Sequence, residues 1–263
     1  MRIFSLSSSS SYGNAYVVWE DSKRPLLIDC GLSLRQLVNA LTEIGLSPED
    51  IAAIFVTHEH SDHVRAMCLK TPFAQKFNIP VFASFGFWKW FQARHPGCLD
   101  PCLVHCIEDQ QRVEISGYTV HGFLKPHDAN EPMGYRIDGV SSSVGFAMDL
   151  GYVPPSVKNL LRGIEYLVFE ANHDVEMEIN SGRPRFLIQR VMGKFGHLSN
   201  DDAADALSRL VTPYTKQVIL SHLSIDCNCP EIAERVVGDK LKACGYKPDI
   251  KVAPARGVSG FGA

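Results

Sequence analysis

The sequence has no uninterrupted apolar run long enough to cross a bilayer as a helix. Its first residues, Met1-Arg2-Ile3-Phe4-Ser5-Leu6, lack the long apolar stretch and small-residue cleavage site of a secretion signal. These two absences predict a cytoplasmic chain with no membrane partner. There is no repeat of fixed period, no low-complexity linker and no block of like charge, which argues against a solenoid or a long solvated tail. The C-x2-C pairs of a thiolate zinc site are also missing, although the chain has 8 cysteines. Cys98, Cys102 and Cys106 are spaced by four, with His95 and His105 nearby, but Pro101 disfavours a continuous helix through them. Without a secretion signal, reduced thiols are the expectation there and at Cys227 and Cys229. A surplus of positive charge is absent too. The net charge of −3 argues against a generally basic nucleic-acid binder.

One local stretch departs from that balance. Between Asn180 and Asn200 there is no acidic residue, while Arg183, Arg185, Arg190 and Lys194 all occur. Basic clusters of this kind attract phosphates. The competing reading is a solvated loop and helix face.

The densest signal is Thr57-His58-Glu59-His60-Ser61-Asp62-His63. Three of the chain's 10 histidines and Asp62 fall within six consecutive positions. The preceding Ile51-Ala52-Ala53-Ile54-Phe55-Val56 reads as a short buried strand, so the donors crowd a loop at a strand end. Neutral imidazole and carboxylate are ligands for zinc, manganese or iron. In extended backbone His58 and His60 point the same way. Asp62 and His63 must turn away, toward a second centre.

The pattern along the chain alternates strands and helices in two roughly matching halves. Ala15–Trp19 and Leu26–Asp29 read as strands, and Met1–Leu6 as a first strand. Ser33 is a candidate cap for a helix through Leu34, Leu37, Val38 and Leu41. Phe85–Arg94 is an aromatic-rich helix whose Phe85, Trp88 and Phe91 suit core packing better than base stacking. Strands follow at Arg112–Ile115, Tyr118–Phe123, Gly134–Ile137 and Ser143–Met148. A crossover helix spans Ser156–Leu161, and the apolar strand Tyr166–Phe169 comes next. Asn200 is the expected cap of a helix presenting Ala203, Ala206, Leu207 and Leu210 on one face. Strand Gln217–Leu220, helix Pro230–Leu241 and an edge strand Ile250–Val252 complete the series. The glycine-rich tail from Gly257 to Ala263 reads as frayed. This order predicts two β-sheets packed face to face with helices outside.

Four further strands end in a donor. Leu27-Ile28 leads to Asp29, Phe123-Leu124-Lys125-Pro126 to His127-Asp128, Phe146-Ala147-Met148 to Asp149, and Ile219-Leu220-Ser221 to His222. With the first motif they supply a complete ligand set for two metals.

At this point the sequence resembles the metallo-β-lactamase superfamily, over nearly its whole length. His58, His60, Asp62 and His63 match the H-x-H-x-D-H signature. His127, Asp149 and His222 match the later ligand motifs in order and rough spacing. The resemblance implies one αββα sandwich domain over residues 1–263. It also implies that His58, His60 and His127 hold one metal, that Asp62, His63 and His222 hold the other, and that Asp149 bridges. Asp29 matches an aspartate that orients the site without binding metal.

Ser9-Ser10-Ser11-Tyr12-Gly13-Asn14-Ala15, the run from Pro126 to Tyr135, Phe169-Glu170-Ala171-Asn172-His173-Asp174, Gly196-His197-Leu198-Ser199-Asn200 and Leu220-Ser221-His222-Leu223-Ser224 are similar to a YycJ (WalJ) subgroup, related to ribonucleases J and Z. The serine-rich Ser7–Ser11 stands where glycine is frequent, and Cys227-Asn228-Cys229 replaces the usual asparagine pair.

What the subgroup implies is a DNA exonuclease-like activity linked to DNA repair. Two cations sharing Asp149 can share a water and lower its pKa, giving hydroxide near neutral pH. Asp62, His197 and Asp29 are the expected catalytic residues, with His197 holding a phosphate oxygen or protonating the leaving oxygen. Ser199, Asn172, His173, Arg185 and Arg190 are the candidate substrate contacts. His95, His105 and His121 are read as structural or exposed. The lack of a cysteine ligand leaves manganese and iron open beside zinc. The same ligands would also serve a thioesterase, a lactonase or a cyclic-phosphate phosphodiesterase, since fold and metal do not fix substrate. A non-catalytic nucleic-acid-binding module is the rival outside enzymes. The expected partner is nucleic acid, DNA before RNA.

Overall fold

A computed structural model describes residues 1–262. The chain divides into two compact units. Residues 1–124, 129–141 and 254–263 form the first, and residues 125–128 and 142–253 the second.

In the first unit the strands are β1 (Arg2–Ser9), β2 (Gly13–Trp19), β3 (Leu26–Ile28), β4 (Ala53–Phe55), β5 (Val81–Ala83), β6 (Val104–Cys106), β7 (Arg112–Ile115), β8 (Tyr118–Leu124) and β9 (Met133–Asp138). Its helices are α1 (Leu34–Glu43), α2 (Ser61–Val64), α3 (Phe73–Phe77) and α4 (Phe85–Arg94). β2 through β6 lie side by side in chain order, antiparallel from β1 to β3 and parallel from β3 to β6. Every residue of β3, β4 and β5 is buried. That is why β3 and β4 read as short continuous apolar runs rather than alternating ones. Ser33 caps α1 as expected, in a capping box with Gln36.

β7, β8 and β9 form an antiparallel meander in the same unit. It meets the sheet of β1 to β6 through Tyr135, whose ring lies edge-on to Phe55 and whose hydroxyl donates to the Val56 carbonyl. Trp88 and Phe91 of α4 are buried in the core, as expected, and Phe87 joins them; Phe85, expected there too, is exposed instead.

The second unit holds β10 (Ser143–Ala147), β11 (Tyr166–Glu170), β12 (Gln217–Ser221) and β13 (Asp249–Val252), all parallel, in the order β13-β12-β11-β10. Its helices are α5 (Pro155–Leu161), α6 (Val175–Ile179), α7 (Arg185–Val191), α8 (Asn200–Leu210) and α9 (Pro230–Ala243). Ala203, Ala206, Leu207 and Leu210 are the buried stripe of α8, which packs against α5 and α9.

Two expectations fail in detail. Ser199, not Asn200, caps α8, because its backbone is extended and its hydroxyl accepts from the Asp202 amide. Nor is the tail frayed. The chain returns to the first unit and forms β14 (Ser259–Gly262), antiparallel to β1. Phe261 is buried there, so one aromatic ring anchors a segment that its glycines alone would leave loose.

No described helix is long and apolar enough to cross a membrane. All the cysteines are free thiols. None of them joins a group of metal-donor side chains among the described residues.

Candidate active site

The donors sit at strand ends, and three of them begin sharp turns. Asp29 follows β3 directly and His222 follows β12 directly, while Asp149 stands two residues past β10. All three have left-handed backbone, with φ of 58°, 57° and 54° respectively. That conformation is costly outside glycine, and Asp and His are among the residues that tolerate it best. It turns the chain out of the sheet at once.

In the first unit, His58 and His60 stand on extended chain after β4, and His60 opens α2 as its N-cap. His58 Nε2 and His60 Nδ1 converge to 3.0 Å. Asp62 and His63 lie on α2, and the His63 ring centroid is 4.2 Å from that of His58. The single helical turn carries the backbone of Asp62 and His63 off the extended line of His58 and His60, while the His63 ring stays against His58.

Asp29 is fully buried and holds this loop. Its Oδ1 accepts from the Thr57 amide at 2.7 Å, and its Oδ2 accepts from the Thr57 hydroxyl at 2.9 Å and from His63 Nδ1 at 2.7 Å. Thr57 Oγ1 also lies 2.9 Å from His58 Nδ1. Both partners favour the proton on Nδ1 and leave Nε2 as the donor to a cation. Asn14 adds a contact that the sequence reading did not assign. Its amide nitrogen is 3.1 Å from Asp62 Oδ2 and 3.1 Å from His63 Nε2.

Gly31 lets these segments meet. A Cβ there would fall 1.6 Å from the Asp62 carbonyl oxygen.

In the second unit, Asp149 is buried among three imidazoles. Its Oδ1 is 3.3 Å from His222 Nδ1, 3.6 Å from His197 Nδ1 and 4.0 Å from His127 Nε2. Glu170, at the end of β11, is fully buried and was given no role by the sequence. Its Oε1 is 2.8 Å from His197 Nδ1 and 3.0 Å from His222 Nδ1, while its Oε2 accepts from the Leu150 and Leu198 amides. Burial pushes its carboxyl up, but His197 and His222 more than offset this and bring it down to about 2. His127 Nδ1 faces the Gly196 carbonyl at 3.1 Å. Burial lowers the His127 pKa to about 3, so the ring stays neutral and can serve as a ligand. Lys125, also unassigned by the sequence, is buried and donates to the Asp149 carbonyl at 2.8 Å.

Asp149, Glu170, His197 and His222 each offer a ligand atom within 4.8 Å of the others. Two buried carboxylates beside imidazoles of this kind suit a divalent cation, which offsets their charge. His197 therefore stands within ligand range as well as being a candidate acid. Its side chain is 20% exposed, against 1% for His127 and His222.

The other sequence candidates are scattered. Asn172 donates to the His222 carbonyl at 2.8 Å, a positioning contact. His173 is buried, and burial lowers its pKa. Ser199 is engaged as the α8 cap. Arg190 pairs with Asp128 at 2.6 Å, and Arg183 with Glu178 and Asp226. These carboxylates lie outside the acid-free run, so sequence proximity hid them. Arg185 is exposed. His105 stacks on Phe82, and His121 pairs with Asp138. The signal that could have found Glu170 is the one that found Asp29: a carboxylate closing a buried strand of apolar residues.

Residues 24–223 match the Beta-lactamase superfamily domain. The chain is 34% identical to exodeoxyribonuclease YycJ of Bacillus anthracis over 251 residues, 92% of this chain and 90% of that protein. It is 32% identical to exodeoxyribonuclease WalJ of Streptococcus pneumoniae over 252 residues, 95% of this chain and 92% of the relative. The structure superposes on the metallo-β-lactamase fold protein YhfI of Bacillus subtilis with a TM-score of 0.74 at 14% identity, covering 99% of both chains. A domain match over most of the chain and a fold match over its whole length lead to one assignment: the chain belongs to the beta-lactamase superfamily and has the metallo-β-lactamase fold.

Proposed function

We propose that this protein is a metal-dependent phosphodiesterase, an exodeoxyribonuclease working in the cytoplasm as one domain in DNA repair. The chain is an enzyme of a hydrolase fold, and relatives matching 92–95% of it are exodeoxyribonucleases. In this reading two divalent ions, zinc, manganese or iron, are bound. His58, His60 and His127 hold one, Asp62, His63 and His222 the other, and Asp149 bridges.

The observation that supports the reading is the way the ligand rings are held. Asp29, Glu170 and the Gly196 carbonyl each engage the Nδ1 of an imidazole, namely His63, His222 and His127. Such partners fix the tautomer and raise ligand basicity. When bound, the ions polarise a phosphate oxygen and lower the pKa of a water. Asp62 and Asp149 supply the anionic ligands. His197, with Nδ1 on Glu170, has Nε2 left to hold a phosphate oxygen or protonate the leaving oxygen. Asn172, His173, Ser199, Arg185 and Arg190 are the proposed substrate contacts. Arg185 is the strongest of them, exposed and without an ion pair among the described residues.

Metal-reconstituted digestion of end-labelled DNA and RNA, duplex and single-stranded, tests the proposal on a sequencing gel. Stepwise, metal-dependent shortening of DNA from one end is expected, with RNA cut more slowly. A metal-loaded protein that leaves DNA intact and hydrolyses a thioester or lactone would establish the small-substrate reading instead.

A further inference from the structure

The acid-free run expected to meet phosphate is partly neutralised by its own ion pairs. A different basic site lies in the first unit. A cleft of about 350 Å³ opens between the serine turn after β1, α1, the end of α2 and the segment before β14. Ser11, Tyr12, Gln36, Glu43, Arg65 and Arg256 are among its lining residues. Glu43 is the single carboxylate in that lining, against two guanidinium groups. Arg65 is exposed and makes no ion pair among the described residues. Arg256 lies over the Tyr12 ring at 3.3 Å from its centroid.

The cleft shares its walls with the metal-ligand loop of the same unit. Arg65 follows His63 by two residues. Tyr12 adjoins Gly13 and Asn14, and Asn14 donates to Asp62. Leu32, also in the lining, adjoins Gly31, which presses on the Asp62 carbonyl.

We infer that this cleft holds one nucleotide of a single DNA strand, the base on the Tyr12–Arg256 stack and its phosphate on Arg65. The inference rests on the nuclease reading. The volume lies near the lower end of ligand-sized clefts, roughly 300–1,000 Å³, and suits one nucleotide better than a longer stretch. The outer plane of a guanidinium stacked over an aromatic ring takes any base, because every base has a π-face. Such a site gives grip without sequence preference. Ser11 supplies a neutral polar group in the lining for a sugar or base edge.

The test is fluorescence anisotropy of the metal-loaded protein with a short, labelled, phosphorothioate-linked single strand, which resists cleavage. Tyr12→Leu should weaken binding roughly tenfold, within the range for one stacked base. Arg65→Gln should weaken binding and flatten the log-affinity against log-salt slope by about 0.7, the value for one single-strand phosphate contact. Arg162→Gln, an exposed arginine of the second unit, controls for the loss of one charge and should bind like the parent. Arg256 also pins the tail to Tyr12, so thermal melting is measured for each variant, and Arg65→Gln, outside that stack, keeps the test valid if Tyr12→Leu melts early. Parent-like affinity and salt slope in Arg65→Gln and parent-like affinity in Tyr12→Leu would overturn the cleft and leave the nuclease reading standing. Failure of the unaltered protein to bind or cut DNA would overturn both.

Discussion

Glu170 engages four partners with two oxygens: His197, His222 and the amides of Leu150 and Leu198. It stands to His222 as Asp29 stands to His63. Glu170→Gln keeps the size but removes the charge that holds both rings. It should lower metal affinity or turnover by about 10–100-fold, the usual cost of losing a group that supports a ligand. Metal analysis beside a turnover assay measures this, and unchanged values would make Glu170 structural only. His197→Ala should cut phosphodiester turnover by about 10²–10⁴-fold, as for a lost acid or base. Metal content then separates its two possible roles: full occupancy supports the acid, and one metal lost makes it a ligand. Asp149→Ala should deplete both metals, because it removes the anionic centre of the three-imidazole cluster. Retention of both at parental affinity would exclude the bridge.

At the scale of elements, the sequence was most legible where one signal dominates. The Ser33 cap of α1 and the buried runs of β3 and β4 appear as read, within a residue or two at the ends. Asp29 sits at a strand end with His63 on its carboxylate. What stayed hidden depends on partners distant in sequence. β5 and β6 have three residues each, too few to show a period, and parallel neighbours complete them. β14 needs β1, some 250 residues earlier, before its glycines become a strand. The role of Gly31 is likewise invisible in sequence, because the crowding comes from Asp62. Gly31→Ala should destabilise the protein by about 3 kcal/mol or more, at or beyond the usual overpacking range, since backbone rather than a flexible side chain must move. Urea unfolding with metal analysis checks it. A fully stable, metal-replete variant would mean that the loop yields at little cost.

At the scale of the whole molecule, buried titrating groups tie stability to acidity and to metal. An unfolded histidine takes up its proton near ~6.5, whereas burial holds His127 to about 3 in the fold. The unfolded chain therefore binds the extra proton first, so this contribution is complete above pH ~6.5 and is lost as pH falls toward 3. Glu170, lowered from 4.5 to about 2, adds a loss in the same direction below pH 4.5. The metal-free protein should show a urea midpoint that drops between pH 7 and pH 4, and His127→Gln should flatten that drop. An equal slope in both proteins would assign the effect elsewhere. Metal at a thousand times its Kd adds about 4.1 kcal/mol if only the folded state binds it. Chelation should then lower Tm, and readdition should restore it.

The left-handed backbone at Asp29, Asp149 and His222 also limits how the metal preference of this scaffold can be redesigned. A thiolate or amide donor introduced at His60, which lies on extended chain, changes the ligand alone. The same exchange at His222, with φ of 57°, changes the ligand and tests whether the newcomer accepts the turn. Asn would be tolerated there, and a β-branched residue would be strained. Libraries that vary the extended positions freely, and hold the three turn positions to a narrow alphabet, should therefore yield more folded members than libraries that treat all the ligands alike.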